Sequence, residues 1–384
     1  MPVNVKNYGA VGDGTTDDLG AIQSAIDDAS AAGGTVFFPA GRYAVSDTIT
    51  VAASNVVLAG EGGGSQLVRL RSSDTHTIVA IYGPQGRRSG YIRRCGLHDL
   101  AIGNNVVGGP EIEDPAPGDT AVLLHKTIEF HVSNCAIEQA NSPGLTLIDA
   151  YIGDITYCQL RQNTDAVVFV GCSNAIRLIG NRIQSNSGVG ITAPKDEVSP
   201  NEFAAQFKGI LIAGNDIEGN GSYGILFENS IYDGIMISGN YFEANFAPKF
   251  SEVRGPHIYK PAMGQTWKNT FRGITIAGNQ LAIRPLDLTQ PEPTIVIEEG
   301  SEISVVGNSS ITYGSSDPDV RFRDTVHLGP GVTSSFISGL RDQAALSVGD
   351  VEVRAGSGVV LSSPDGSRHR ITVADDGSLS TTRL

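Results

Sequence analysis

The sequence predicts an all-β fold: a right-handed parallel β-helix (solenoid) with an N-terminal capping α-helix and a small C-terminal β segment. Three observations predict it. The 384-residue chain carries 47 glycines and only 18% charged residues, with short Val, Ile and Leu clusters bounded by Gly, Asn and Ser, a composition of many strands and tight turns. A short phrase recurs through the middle of the chain, and the first residues read as a helical cap.

The opening stretch "NVKNYGAVGDGTTDDLGAIQSAI" places Asp13, Asp17 and Asp18 among glycines, ahead of an apolar-periodic run. Leu19, Ile22, Ile26 and Ala29 share one helical face; Thr15, Thr16 or Asp17 can cap its start, and Gly33-Gly34 ends it. The aspartates therefore read as cap chemistry and not as a metal site. "TVFFPAGRYAV" follows as strand, turn and strand, which begins the first coil.

Between residues 130 and 310 the phrases "VSNCAIEQAN", "ITYCQLRQN", "LIGNRIQSN", "IAGNDIEGN", "ISGNYFEAN", "IAGNQLAI" and "VVGNSSI" repeat one pattern. Their bend residues are Cys135, Cys158, Asn181, Asn215, Asn240, Asn279 and Asn308, at spacings of 23, 23, 34, 25, 39 and 29, with Leu100 one coil earlier. A unit of 23 to 25 residues cannot bury its own apolar face, whereas stacked copies share one core. Asparagine tolerates a left-handed bend and can bond to its equivalent in the next coil, so these residues read as a structural ladder. Cys135 and Cys158 occupy one slot a coil apart, which predicts stacked thiols and leaves a disulfide open. Cys95 and Cys172 complete the four, and no spacing among them suits a metal.

The segment "NVKNYGAVGDGTTDDLGAIQSAI...GGTVFFPAGRYAV" resembles the N-terminal signature of the pectate-lyase-like β-helix superfamily. That group includes polygalacturonase-like hydrolases, alginate epimerases and lyases, and phage tailspikes. The close likeness covers roughly residues 3–47 and implies fold and cap, not a reaction. The chain lacks Gly-His-Gly, Arg-Ile-Lys and Asp-Pro-His; Asp114-Pro115 and Asp317-Pro318 are followed by Ala116 and Asp319.

Chemistry must then be sought by geometry. Three positions after each bend mark the sequence carries Glu138, Arg161, Gln184, Glu218 and Glu243, one per coil in one row. Strands stack about 4.8 Å apart, so Glu218 and Glu243 form a candidate catalytic pair; crowding raises one carboxyl, as a general acid requires. The competing expectation is a solvated sheet face. Insertions at 104–119, 246–270 and 284–294 should project from one side, the first two walling a groove across the coils of Cys135, Cys158, Asn181 and Asn215, while 193–208 leaves from another edge. The longest holds Arg254, His257, Tyr259, Lys260 and Trp267, whose aromatic faces and cationic donors suit sugar binding. The expected function is glycoside hydrolysis of a polysaccharide. The alternatives are β-elimination on a uronate, with Tyr259, His257 or Lys260 as base, and a non-catalytic glycan-binding spike.

The formal charge of -14 excludes a surface built for nucleic acid or anionic membrane and disfavours a polyanionic substrate. No cofactor or metal is implied. No signal peptide is visible, which fits an extracellular or virion-associated protein exported by another route. The division expected is a β-helix domain at 1–312 and a C-terminal segment at 313–384, whose Pro-Asp-Gly and Asp-Asp-Gly turns suit β-hairpins. That segment, similar to those on phage-type β-helices, could close the column or hold a homotrimer.

Overall fold

The computed structural model describes residues 2–71, 76–83, 90–104, 120–193, 206–228, 230–245, 258–260, 270–283, 295–312, 326–333, 336–338, 359–362, 368–373 and 378–383. Up to Ser338 the strands pair in parallel, each coil on the next, in a 24-stranded and an 11-stranded sheet. This is a right-handed parallel β-helix. The smaller sheet runs in chain order from Asp13–Asp17 to Ser309–Thr312, mostly through three-residue strands.

Alternation along those short strands sorts the residues. The central side chains Ile102, Ile137, Leu160, Ile183, Ile217, Phe242 and Leu281 pair in register and are fully buried, forming one continuous inward column. Each such side chain contributes roughly 1.5–3 kcal/mol by leaving water. Inside the larger sheet an aromatic stack of Phe169, Phe207, Tyr232, Phe227 and Phe271 continues the core, with centroids 5.0–5.8 Å apart.

At the upper end the helix Leu19–Ala32 buries Ile22, Ala25, Ile26 and Ala29. All three opening aspartates hold backbone. Asp13 Oδ1 accepts from the Thr15 and Thr16 amides, Asp17 Oδ1 from Leu19, and Asp18 takes the Val11 and Gly12 amides at 2.6 and 3.0 Å.

The predicted ladder is present. Asn215 Oδ1 accepts from the Asn181 backbone N–H and from Asn181 Nδ2, both at 2.9 Å. Its own Nδ2 donates to the Leu178 carbonyl and to Asn240 Oδ1. The pattern repeats through Asn240, Asn279 and Asn308. Gly214 and Gly239, just before the marks, have φ of 62° and 63°, the left-handed conformation that glycine adopts without strain. A second ladder, absent from the sequence expectation, runs through Asn163, Asn186, Asn220 and Asn245. Cys135 and Cys158 are buried and free; the hydrogen bond that the Cys135 thiol donates to Cys158, together with burial, pushes the Cys135 thiol well above its usual value.

Two features differ from the sequence reading. The parallel ladder continues past residue 312, since Ile295–Val306 pairs with Val326–Thr333 and Phe336–Ser338. The phrase fades because two residues beyond Ser338 the chain has Leu340 in place of asparagine. Within the expected insertion 246–270, Ile258–Lys260 is a column strand, paired with Ile225–Phe227 on one side and Ile295–Val306 on the other. Lys260 points inward, fully buried, and its ammonium lies 3.0 Å from Glu299. Burial lowers its pKa against the pull of Glu299. Residues 348–384 form a separate unit, in which Val359–Ser362, Arg368–Val373 and Leu379–Arg383 make an antiparallel sheet.

Two stability predictions follow from this packing. Asn215→Ala removes the acceptor of a buried backbone N–H and three further bonds, so it should destabilise by about 3 kcal/mol in urea unfolding. Lys260→Met leaves Glu299 without its ammonium and should cost about 3–5 kcal/mol, largely recovered in Lys260→Met/Glu299→Leu.

Candidate functional site

Because the inward residue of each short strand is fixed by the core, its two neighbours must point outward. One outward row is Glu138, Arg161, Gln184, Glu218 and Glu243, in direct register from coil to coil as the spacing predicts. The row is bounded by Gly103 above and Ala282 below. A Cβ on Gly103 would lie 1.7 Å from the Glu138 carbonyl oxygen, so no side chain can extend the row upward.

A second outward row, Gln159, Arg182, Asp216 and Tyr241, lies two residues earlier on the same strands. The sequence reading passed over it, although strict alternation places it one residue after each bend mark. The two rows share one face and interlock. Arg161 forks onto Glu138 with Nε–Oε1 at 2.7 Å and Nη2–Oε2 at 3.1 Å, and Glu138 is 3% exposed. That bond raises the Arg161 pKa further. Gln184 Nε2 donates to Asp216 Oδ2 at 2.6 Å and to Glu218 Oε2 at 3.3 Å. Tyr241 Oη donates to Glu243 Oε2 at 2.6 Å, and Glu243 is 9% exposed.

The structure pushes the Asp216 carboxyl upward. Burial is the main cause; Glu243 adds to it, while Gln184 and Arg182 oppose it. Asp216 Oδ1 is shielded from solvent and has no hydrogen-bond partner among the described residues.

Several expected binding residues are placed elsewhere. Lys260 belongs to the core, as described, because its inward register and Glu299 hold it there. Tyr259 lies on the same strand, its backbone in register with Leu226 and Val296. Arg254, His257 and Trp267 lie outside the described residues, as do 105–119 and 284–294, so the expected groove walls are not among them. Among the described residues no group of three or more His, Cys, Asp or Glu is arranged to hold a metal.

A family profile for rhamnogalacturonase A/epimerase, pectate lyase-like, matches residues 2–152, the cap and the first coils of this column. The chain is a pectate-lyase-like β-helix protein. It is 37% identical over 142 residues to Mannuronan C5-epimerase AlgE6 of Azotobacter vinelandii, a stretch covering 34% of this chain and 16% of that protein. It is 45% identical over 170 residues to the Pre-neck appendage protein of Bacillus phage B103, covering 43% of this chain and 18% of that one. This β-helix therefore spans less than a fifth of either relative. It also superposes on the Dettilon tailspike protein (gp208) with a TM-score of 0.60 at 17% identity, over 100% of this chain and 76% of that one, a likeness of fold. The matched profile of this pectate-lyase-like protein ends before Asp216, Glu218, Tyr241 and Glu243.

The raised Asp216 carboxyl gives a pH prediction. A carboxyl whose folded pKa lies above its unfolded value of 3.8 favours the fold at low pH, and that contribution is lost as pH rises through the folded pKa. Asp216→Asn should therefore be more stable than the parent at pH 7, with the gain shrinking toward pH 3. Urea midpoints at the two pH values check this.

Proposed function

We propose that this face binds a glycan and hydrolyses a glycosidic bond, with Glu218 and Glu243 as the acid and base or nucleophile. The observation that carries the reading is their direct register on adjacent strands of one outward face, inside a fixed polar network. Strands about 4.8 Å apart bring two carboxylates to the scale at which they can flank one glycosidic bond. The likeness to a mannuronan C5-epimerase supports carbohydrate as the ligand class.

The charges favour hydrolysis over β-elimination. Elimination needs a cation to neutralise the uronate carboxylate, but Arg161 is engaged by Glu138 and Lys260 is buried against Glu299. Among the described residues Arg182 stands in register with Asp216, itself on the strand that carries Glu218 and beside the one that carries Glu243, so the face suits an uncharged glycan better than a polyuronate.

The phage appendage relative supports a second reading, in which a virion-associated spike uses the same face for adhesion without turnover. Incubation with neutral and uronate polysaccharides separates the readings. Hydrolysis should raise reducing ends without the ultraviolet absorbance of unsaturated uronates, and Glu243→Gln or Glu218→Gln should slow it by about 10²-fold or more. An unsaturated product would overturn hydrolysis in favour of elimination. Binding without any cleavage would favour the spike.

A further inference from the structure

The position just before each bend mark forms a row of its own, along the corner where the larger sheet passes into the short strands. It holds Asp99, Asn134, Tyr157, Gly180, Gly214 and Gly239, all left-handed, with φ between 52° and 67°. Gly, Asn and Asp adopt that conformation readily, whereas tyrosine takes it against the steric demand of its Cβ. The backbone pattern does not call for an aromatic: the Tyr157 N–H donates to the Ile179 carbonyl, just as Asn134 donates to Thr156 and Gly180 to Ala213. A strained, bulky residue in a slot that small polar residues and glycine fill elsewhere points to a role for its side chain.

That side chain lies on the surface. Tyr157 is 69% exposed, the most exposed large apolar side chain among the described residues. A Cβ on Gly180 would lie 2.8 Å from Tyr157 Cε1 and 2.9 Å from Cδ1, so the ring leans down the column across Gly180, in space left by the missing side chain. Below it the corner is bare, since no heavy atom lies within 4 Å of where a Cβ would stand on Gly214 or Gly239. The bare strip runs beside the strands Asp216–Glu218 and Tyr241–Glu243, which begin two residues after each of those glycines.

We infer that Tyr157 is a sugar-stacking platform, on which one pyranose unit of the glycan lies while the polymer continues along the bare strip toward Glu218 and Glu243. This rests on the glycan-binding reading above and adds a substrate-holding residue to it, leaving both carboxylate roles as assigned. The negative π face of a tyrosine attracts the C–H groups of a pyranose, while the hydroxyls around the sugar rim need polar partners. Gln159 and Arg182 supply them: they follow Tyr157 and Gly180 by two residues and stand in register with each other on the outward row.

The distances set what the platform can do. The strand after Tyr157 is two spacings, about 10 Å, from the strand of Glu218, and the short strand adds about 10 Å from bend to glutamate row. Tyr157 therefore holds a sugar unit away from the scissile bond. It contributes binding that is equal before and during bond cleavage, which appears in KM and not in kcat.

The test uses the full chain with Tyr157→Asn, which places in this slot the residue found one coil earlier at Asn134, and with Tyr157→Phe, which keeps the ring. Binding of the neutral polysaccharides is read by titration calorimetry in a Glu218→Gln background, and KM and kcat are read on whichever polymer the parent hydrolyses. Tyr157→Asn should weaken binding and raise KM about 3–10-fold, with kcat within about 2-fold and a urea midpoint no lower than the parent's. Tyr157→Phe should bind within about 2-fold of the parent. Parent-like affinity in Tyr157→Asn would overturn the platform alone, as would an equal loss in Tyr157→Phe, which would assign the contact to the hydroxyl. Binding without cleavage would overturn hydrolysis while the calorimetry still decides the platform. A parent that binds no glycan of the set would overturn both.

Discussion

The structure depends on saturation of buried asparagine amides at the coil bends. Asn215 uses its whole amide: two bonds received from Asn181, one given to Leu178 and one given to Asn240. A bend cut off from water must satisfy such polar groups internally, and asparagine does this while keeping each coil in register with the next. The second ladder does the same on the other side of the short strand, where Asn220 Nδ2 donates to Ile183 and Asn245. The strand Asp216–Glu218 is therefore clamped at both ends, one residue after Asn215 and two before Asn220. The backbone positions from which Asp216 and Glu218 project are therefore fixed by the ladders.

That division of labour explains which features were legible in the sequence. The bend marks and the row Glu138 to Glu243 were readable because a short apolar unit can be stacked in only one register that keeps Ile137, Leu160, Ile183 and Ile217 inside. The second ladder was written in the same phrases, four of which close on Asn163, Asn186, Asn220 and Asn245, but a single mark per coil hid it. The row containing Asp216 and Tyr241 was likewise implied by alternation. Its importance was hidden, because only the shielded Oδ1 and the Gln184 contact distinguish Asp216 from a solvated aspartate.

Lys260 shows what local sequence cannot supply. A cationic residue among Pro, Gly and aromatics reads as a loop donor, and nothing within its neighbourhood suggests burial. Its partner Glu299 is 39 residues away and meets it because Ile258–Lys260 pairs with Ile295–Val306. Long-range pairing made an internal ion pair of what composition marked as surface. The same logic applies beyond residue 312, where Ile295–Val306 continues to pair with later strands after the asparagine mark has gone.

The outward face shows why this scaffold can hold unfavourable chemistry. Asp216, Glu218 and Glu243 crowd on two adjacent strands, and Arg182 stands opposite Asp216 on the preceding strand. Exposed carboxylates would repel mildly and splay into water, yet here Gln184 and Tyr241 restrain them in place. Burial then acts on the shielded oxygen of Asp216 and raises its carboxyl, a destabilising arrangement at neutral pH. Stability lost on the face is supplied elsewhere, by the inward column and the two ladders, which make no use of the outward side chains. Outward residues can therefore change from coil to coil without altering the register, so a likeness confined to the cap and first coils specifies the column and leaves the chemistry of this face to its own residues.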